Sequence, residues 1–422
     1  MNLPSHPLPG NPMPEPRRSA NSVLILLLCV NLLNYIDRQV VYAVFPLIKQ
    51  DLGLSDTALG LLGSAFMLCY MVSAPLFGLI GDRFRRTRVA ACALAAWSLA
   101  TLGGGISASY RSLMVARTLV GVGEAAFGTI SPGLVADSFE RDRRGRVLSY
   151  FFLAIPVGSA LGYLLGGVLG QHFGWRAAFL MVGLPGLVLT LPLWRLAEPG
   201  RSRDESGEGL SHGTWAGLFA NRSFVIATLA MAAMTFALGG LAQWLPTFLF
   251  RMHGLDVGRA NTIFGAITVV AGIGGTLCGG RLGDYFQQSS AAGYLHVSGW
   301  GFLLGVPAAA WALLTPSLPH CLAAMFVAEF FLFLNTGPLN TVIVNVTRPG
   351  IRAFAFSVNI FFIHALGDAV SPAILGRLSD LSDLRSALLV TPAAILLAGL
   401  FCFIGGRFIQ ADLSKADTTS TN

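Results

Sequence analysis

Charged residues are scarce in this chain, and their scarcity excludes most soluble folds. Asp, Glu, Lys and Arg make up 12% of its 422 residues, whereas about 25% is usual in soluble domains. Hydrophobic residues account for 54%, which is enough for many apolar segments of about 20 residues, the length that crosses a bilayer as a helix. The composition is therefore that of an integral membrane protein.

Paired cysteines and phosphate-binding loops are also missing. The six cysteines show no CxxC spacing and no nearby histidine cluster, so we expect no disulfide, no metal site and no cofactor. We interpret them as small core residues of apolar runs: Cys29, Cys69, Cys92, Cys278, Cys321 and Cys402. No segment resembles a P-loop, so ATP is not the expected energy source. The net charge of +7 needs no nucleic-acid partner, because cytoplasmic loops of membrane proteins collect Lys and Arg.

Apolar runs separated by charged or Pro/Gly-rich breaks predict twelve spanning helices in two sets of six. The predicted spans are 22–48, 57–80, 88–107, 111–138, 146–171, 176–196, 222–251, 257–282, 293–315, 319–346, 351–378 and 385–408. The chain divides in order into a proline-rich tail, a six-helix bundle, a polar linker, a second six-helix bundle and a second tail: 1–21, 22–196, 197–221, 222–409 and 410–422.

The distribution of Lys and Arg predicts that both termini are cytoplasmic. With the N-terminus inside, the inner loops and tails hold nineteen of these residues and the outer loops seven, and cytoplasmic loops are the basic ones. The first span is too long for the apolar part of a signal peptide, and more spans follow it. We expect a multi-pass protein of the cell inner membrane that acts as a monomer.

The two halves of the chain repeat each other. Gly78–Phe84 closes the second span and Gly280–Phe286 closes the eighth, and four of their seven positions agree at an offset of 202. A chain that repeats at its midpoint, in halves of six spans, has the layout of a two-bundle secondary transporter.

Four charged residues lie within apolar spans, where charge costs several kcal/mol and is usually functional. Asp37 and Arg38 are adjacent in the first span, while Arg117 and Glu124 share one face of the fourth with Gly121. We expect Asp37 and Glu124 to be the groups that bind and release the coupling proton. We expect the two arginines either to contact an anionic headgroup or to tune the pKa of these carboxyl groups. The alternative is a permanently ionised structural clasp.

Other residues within the apolar spans indicate a function less specifically than these four charges do. His364 and Asp368 are spaced i, i+4 in the eleventh span, so they form either a second proton site or a hydrogen-bonded pair that joins two helices. Glu329 is a lone acid in the tenth span that the sequence does not assign. Pro246, beside Trp244, is expected to break the seventh span where a gate would be useful.

Several motifs resemble one known family. Gly78–Arg88 resembles the loop between spans two and three of the major facilitator superfamily, and Arg117–Ala125 resembles its fourth-span motif. Within that superfamily the chain most resembles the spinster family of lipid transporters, in four segments: Asn34–Arg38, Phe66–Gly78, Arg117–Asp137, and His364–Pro372 with Leu378–Asp380.

The resemblance implies a fold and a gate. The fold is the all-α major facilitator fold, with twelve transmembrane helices in two six-helix bundles with inverted repeats, and it works by alternating access. The loop after the second span would latch the two halves through Asp82 and Arg83, with Arg86 beside them and Asp137 as partner. The alternative for this loop is ordinary positive charge on the cytoplasmic side.

The resemblance also implies a cargo, a single-chain amphipathic lipid such as a lysophospholipid or a sphingosine-type lipid, moved by a protein that is not an enzyme. The buried charges are expected to couple this movement to protons. The residues expected to bind it are Arg38, Arg117, Tyr42, Tyr70, Phe127, Trp244 and Asn335. The second hypothesis is a proton-coupled symporter of small organic anions, because such symporters share the Asn-Tyr-x-Asp-Arg and Gly-Glu-Ala sequences. A third is a lipid-sensing receptor or a scramblase.

Overall fold

The computed structural model describes residues 20–199, 217–348 and 351–418, and all regular secondary structure in these ranges is helical. The helices of the first half are α1 Ala20–Ala43, α2 Phe45–Leu52, α3 Asp56–Arg83, α4 Arg86–Gly105, α5 Tyr110–Asp137, α6 Arg141–Phe152, α7 Ala154–Phe173 and α8 Trp175–Trp194. Those of the second half are α9 Arg222–His253, α10 Val257–Gln287, α11 Gly293–Leu314, α12 Leu318–Leu334, α13 Thr336–Asn345, α14 Arg352–Ile363, a π-helical turn His364–Asp368, α15 Ser371–Leu381, α16 Leu384–Leu388, α17 Val390–Gly406 and α18 Ile409–Thr418.

The predicted all-α membrane fold is confirmed. Eleven segments of the described ranges are long and apolar enough to cross a membrane. The twelfth predicted span is α4, whose 20 residues extend about 30 Å. It is less hydrophobic because it begins with two arginines and consists largely of Ala, Gly and Thr.

Several predicted spans are interrupted. The first ends at Ala43, five residues earlier than expected, and the short α2 follows it. The fifth breaks at Leu153, and the tenth breaks at Asn335. By contrast, α9 continues through Pro246, so the expected break in the seventh span is wrong. A membrane helix tolerates such a proline because neighbouring groups can satisfy the carbonyl that it leaves free.

The cysteine interpretation is also partly wrong. Cys321 and Cys402 are buried core residues, but Cys29, Cys92 and Cys278 are exposed on the outside of the helices. An exposed thiol on an apolar helix face is compatible with lipid contact, since Cys behaves as a small hydrophobe. The six cysteines form no disulfide.

The two halves repeat the same packing. In the first half α1 packs against α7, and α4 against both α5 and α8. In the second half α9 packs against the π-helical turn and α15, and α11 against both α12 and α17. These are the corresponding spans, so the internal sequence repeat has a structural counterpart.

The halves meet mainly at one end of the molecule, named here the Asp56 end, and the opposite end is the Arg86 end. Across the halves, α3 packs on α15 and α7 packs on α10. Gly376 makes the first contact possible, because a Cβ there would overlap the carbonyl oxygen of Asp56. In the second contact, the backbone amide of Gly258 donates to the side-chain oxygen of Gln171 at 2.7 Å.

Candidate functional site: the cavity between the two halves

The central feature of the site is an ion pair between α1 and α5. Arg38 donates from Nε and Nη2 to Oε2 of Glu124, at 3.2 and 3.0 Å. The Glu124 side chain is fully buried and that of Arg38 is 15% exposed. The second carboxylate oxygen of Glu124 is buried without a hydrogen-bond partner among the described residues. Glu124 therefore depends on Arg38 as its counter-charge.

Three aromatic rings surround the Arg38 guanidinium. The ring centroids of Tyr35, Phe66 and Tyr70 lie 5.0, 5.1 and 5.0 Å from its central carbon. Such contacts stabilise a cation that has lost part of its water. Gly128 leaves room for the Tyr70 hydroxyl, since a Cβ there would overlap it. Tyr70 thus supports the cation and holds it in place.

Asp37 and Arg117 take separate positions, although the sequence places them with this pair. The Asp37 carboxylate accepts a hydrogen bond from the Thr101 hydroxyl of α4. Arg117 donates from Nη2 to the backbone carbonyl of Arg38 at 2.9 Å, and its guanidinium lies 4.3 Å from the Phe66 ring centroid. With 2% exposure, Arg117 lies behind the cavity wall, so it does not line the cavity as a headgroup contact would require.

A cavity of about 320 Å³ separates the two halves beside Arg38. Its polar lining from the first half includes Arg38, Gln39 and Tyr42, and that from the second half includes Glu329 and Asp368. The apolar part of the lining consists of Met67, Ile155, Leu238, Leu241, Phe264 and Phe333. The cavity can therefore hold a charged group and an apolar group together.

Glu329 is the residue whose role the sequence left open. It lines the cavity from α12 with 4% exposure, and its Oε2 is buried without a hydrogen-bond partner among the described residues. The sequence does show a lone acid in an apolar span, and such a residue is by default a candidate for a functional site. The sequence does not show which residue lies beside Glu329, so it did not assign a role.

His364 and Asp368 form a pair in the π-helical turn. The His364 Nδ1 and an Asp368 oxygen are 2.8 Å apart, and Asp368 reaches the cavity lining. Gly239 of α9 permits this approach, because a Cβ there would overlap the Asp368 side chain. A π-helical turn inside a helix is a common feature of functional sites.

Three residues expected to bind substrate pack inside the helices and are absent from the cavity lining. Phe127 packs against Trp97, with ring centroids 5.6 Å apart. Trp244 donates from its indole nitrogen to the carbonyl of Pro372 at 3.2 Å. Asn335 donates to the Phe331 carbonyl at 2.7 Å. An aromatic or amide residue in a membrane helix fills gaps between helices as readily as it lines a cavity, and the sequence does not distinguish the two positions.

The predicted latch is centred on Arg86. Its Nη1 lies 2.7 Å from the Asp137 carboxylate, and its Nε lies 3.0 Å from Glu198. Arg83 is exposed and makes no ion pair with a described residue, so it is Arg86 that reaches Asp137. Helix α4 begins at Arg86, and this position directs the Arg86 side chain inward. The Asp82 side chain lies outside the described part of the structure.

Glu198 belongs to this cluster and was missed in the sequence. Its carboxylate accepts from the backbone amide and the hydroxyl of Thr87, both at 3.0 Å. Burial raises the pKa of Glu198, but the hydrogen bonds from Thr87 and Arg86 outweigh that effect and hold the pKa below its ordinary value. Placing a carboxylate on the first amides of α4 also satisfies donors that the helix itself leaves free.

A second cluster, also missed, joins the halves at the Asp56 end. Arg251 of α9 bonds to both carboxylate oxygens of Asp56, at 2.6 and 2.7 Å. Asp380 of α15 accepts from the backbone amides of Asp56 and Thr57, both at 2.8 Å. The sequence signal was weak, because three charges at the ends of three different spans have no mutual spacing to read.

Two six-helix halves around a central cavity with a buried ion pair have the architecture of a membrane transporter. The chain matches the Major Facilitator Superfamily over residues 27–372. It is therefore a multi-pass membrane transporter and not an enzyme.

Two relatives and one solved structure are more specific. The chain is 32% identical over 371 residues to "Protein spinster" of Drosophila melanogaster, covering 84% of this chain but only 61% of that protein. It is 34% identical over 425 residues to "Sphingosine-1-phosphate transporter SPNS2" of Danio rerio, covering 92% of this chain and 84% of that one. A bacterial homologue of the human lysosomal transporter spinster has the same fold, with a TM-score of 0.85 at 24% identity, covering 94% of this chain and 99% of that one. The chain belongs to the spinster family of the major facilitator superfamily, as its motifs indicated.

Proposed function

We propose that this protein is a proton-coupled secondary transporter of a single-chain amphipathic lipid, either a lysophospholipid or a sphingosine-type lipid. The observation that carries the proposal is Arg38, a cation that lines the cavity while its partner Glu124 is fully buried behind it. A guanidinium matches the geometry of a phosphate headgroup, and the apolar lining offers contacts for the chain. The relative from Danio rerio, named as a sphingosine-1-phosphate transporter, supports this class of cargo.

Coupling follows from competition for Arg38. In the absence of cargo, Glu124 holds the guanidinium through both of its hydrogen bonds. A phosphate can take over Arg38 only if Glu124 gives up its charge, because an unpaired carboxylate buried at this depth is costly. The proton and the lipid therefore bind together. Asp37 and the His364–Asp368 pair are further proton sites of this proposal.

Glu329 gives the cavity a preference among phosphate-bearing lipids. A lipid that carries both a phosphate and an ammonium group would pair the first with Arg38 and the second with Glu329, which line the same cavity. A lipid with phosphate alone would leave Glu329 without a counter-charge. The cavity therefore favours a zwitterionic headgroup of the sphingosine-phosphate type.

We place the Arg86 end and both termini on the cytoplasmic side of the cell inner membrane, and we propose that the protein acts as a monomer. Lys and Arg are concentrated at the Arg86 end. The halves are joined at the Asp56 end, so this conformation is closed toward the outside. Arg86 with Asp137 and Glu198 then forms the gate on the cytoplasmic side, and Asp82 and Arg83 remain candidates within it.

The second candidate is a symporter of small organic anions. The size of the cavity favours it, because about 320 Å³ lies at the lower limit of small-molecule pockets. A lipid chain would have to extend beyond this volume, between the helices. An organic anion of a few carbon atoms would fit within it and would use the same Arg38.

The test is flux into proteoliposomes that contain the purified protein and a fluorescent lysophospholipid or labelled sphingosine-1-phosphate. The proposal expects an imposed proton gradient to accelerate lipid movement. Equal rates with and without the gradient would remove the coupling. If small organic anions such as succinate are moved and neither lipid is, the second candidate is correct. Lipid binding without net movement would indicate a receptor.

Glu329→Gln tests the headgroup preference in the same vesicles. The variant is expected to slow sphingosine-1-phosphate, which carries an ammonium group, by about tenfold, because a buried charge contact is typically worth 1–2 kcal/mol or more. Lysophosphatidic acid, which has no ammonium group, should move at the wild-type rate or faster. Equal slowing of both lipids would show that Glu329 has another role.

A further inference from the structure

A second opening lies on the outside of the first half, between α3, α4 and α5. It is a groove of about 540 Å³ that shares no lining residue with the central cavity. Its floor is made of small residues, Cys92, Ala93 and Ala96 of α4 and Gly123 of α5, with Phe77 and Leu119 at the sides. Cys92 and Ala96 are exposed, so the floor faces the surroundings of the protein and not its interior.

Two arginines lie at one end of this groove. Arg85 and Arg88 belong to its lining, both are exposed, and neither forms an ion pair within the described ranges. Their neighbour Arg86 instead turns inward to Asp137 and Glu198. The first turn of α4 thus directs one arginine to internal carboxylates and two to the groove. General positive charge on the cytoplasmic side does not require this separation.

The groove crosses from the membrane interface into the apolar layer. Arg88 lies over the ring of Trp194, 5.6 Å from its centroid, and a half-exposed tryptophan beside arginines is typical of the headgroup level. From Arg85 to Ala96 the groove follows α4 for about 16 Å at the helical rise per residue. Cationic groups therefore occupy its interfacial end, and apolar side chains line the part that lies at acyl-chain depth.

We propose that this groove is a binding site for an anionic phospholipid of the surrounding membrane. The headgroup phosphate lies between Arg85 and Arg88, and one acyl chain lies along the small residues of α4. Two cations without counter-charges in the described part of the chain select a lipid with net negative charge over a zwitterionic one, because each basic residue near the surface contributes about fivefold in affinity for anionic lipid. This lipid binds on the lipid-facing surface of the first half and is distinct from cargo in the central cavity.

Photo-crosslinking of the full-length wild-type protein tests the site directly. Purified protein in phosphatidylcholine nanodiscs is given either phosphatidylglycerol or phosphatidylcholine with the same photoreactive acyl chain, and the labelled peptides are mapped by mass spectrometry. The expected result is labelling within residues 77–96 and 119–123, at least tenfold stronger for phosphatidylglycerol. Equal labelling by the two lipids, or labelling confined to residues of the central cavity, would overturn the proposal.

Paired variants separate charge from shape. Arg85→Gln with Arg88→Gln should lower phosphatidylglycerol labelling about 20-fold, to the level of phosphatidylcholine. Arg143→Gln with Arg146→Gln, which removes two exposed arginines of α6 at the same end, should leave it unchanged. Ala96→Trp, which fills the groove and keeps both arginines, should reduce labelling by both lipids. If the two arginine pairs lower labelling equally, only the total charge matters and the site is disproved.

Discussion

Arg251 and Asp56 connect the two halves of the transporter by two charge-assisted hydrogen bonds, at 2.6 and 2.7 Å. The same carboxylate also accepts from Lys49 and from Ser379, each at 2.6 Å. Arg251 lies on α9 and Asp56 on α3, so the pair forms only when the halves are closed at this end. An interaction present in one of two conformations shifts the equilibrium by its whole free energy.

Arg251→Gln should therefore move the protein toward a conformation that is open at the Asp56 end. Lys49 still neutralises Asp56 in this variant, so the loss is that of the charge-assisted hydrogen bonds from Arg251, roughly 2 kcal/mol, and a shift of about 30-fold in the ratio of the two conformations is expected. Gln50 and Ser382 are both exposed, and spin labels attached at these two positions report the opening. The distance between the labels, measured by double electron–electron resonance, should increase. Replacing the exposed Cys29, Cys92 and Cys278 by Ser keeps the labelling specific.

The matched control is Arg259→Gln. Arg259 pairs with Asp256 at 3.2 Å within one helix end, and its side chain is 78% exposed, so its loss affects both conformations equally. The distance distribution of this variant should match that of the parent. A parent-like distribution in Arg251→Gln as well would show that the ion pair does not hold the halves together.

Gly376 gives a steric version of the same test. A methyl group there would overlap the Asp56 carbonyl oxygen, which belongs to the helix backbone and cannot rotate away. Gly376→Ala should therefore open the Asp56 end and lengthen the distance between positions 50 and 382. Gly280→Ala, on a helix face with no atom within 4 Å of the new Cβ, should leave the distance unchanged and stabilise its helix by up to about 1 kcal/mol. Opening in both variants would point to helix stability as the cause.

The spans were predictable because a run of about 20 apolar residues has few alternatives in a protein with so little charge. The break points were not. The breaks at Leu153, Asn335 and Leu389 each lie three residues before a proline, which places the proline in the first turn of the next helix, where its missing N–H costs no intrahelical hydrogen bond. Other prolines, such as Pro132 and Pro246, lie inside continuous helices. Tertiary packing decides between the two outcomes, and the local sequence does not contain it.

The site was predictable to the level of which charges are buried, but not which of them pair. Adjacent helical residues point about 100° apart, and Asp37 and Arg38 accordingly contact different helices, α4 and α5. The pairing of Arg86 with Glu198 joins residues 112 positions apart. That of Arg251 with Asp56 joins residues 195 positions apart. No local spacing encodes such contacts.

The Arg38–Glu124 pair should show strong coupling in a double-mutant cycle. Glu124→Gln alone leaves a largely buried cation, and Arg38→Gln alone leaves a fully buried carboxylate, so each should destabilise the protein by roughly 3–5 kcal/mol. The double variant removes both charges and should be less destabilised than either single variant. Thermal unfolding of the purified protein measures the cycle. Additive losses would show that the two charges do not stabilise each other.

Transport by the same variants separates stability from mechanism. The double variant is expected to fold but not to respond to a proton gradient, because it lacks both the group that would titrate and the cation that would exchange partners. Asp37→Asn keeps the pair intact and should retain at least part of the gradient response. Gradient-driven transport by Glu124→Gln at the wild-type rate would exclude Glu124 as the coupling residue.

Glu198 should make the Arg86 end sensitive to acid. Its pKa is lowered from an ordinary value of about 4.5, so its stabilising contribution is complete above that pH and is lost as the pH falls through the lower folded-state value. The difference in melting temperature between wild type and Glu198→Gln should therefore be constant from pH 7 to about 5 and shrink below pH 4. In an Arg86→Gln background the difference should be smaller at every pH, since the guanidinium, one of the four donors that lower the pKa of Glu198, is gone. A difference that grows on acidification would mean that Glu198 is protonated more readily in the folded protein than in the unfolded chain, and that burial outweighs its hydrogen bonds.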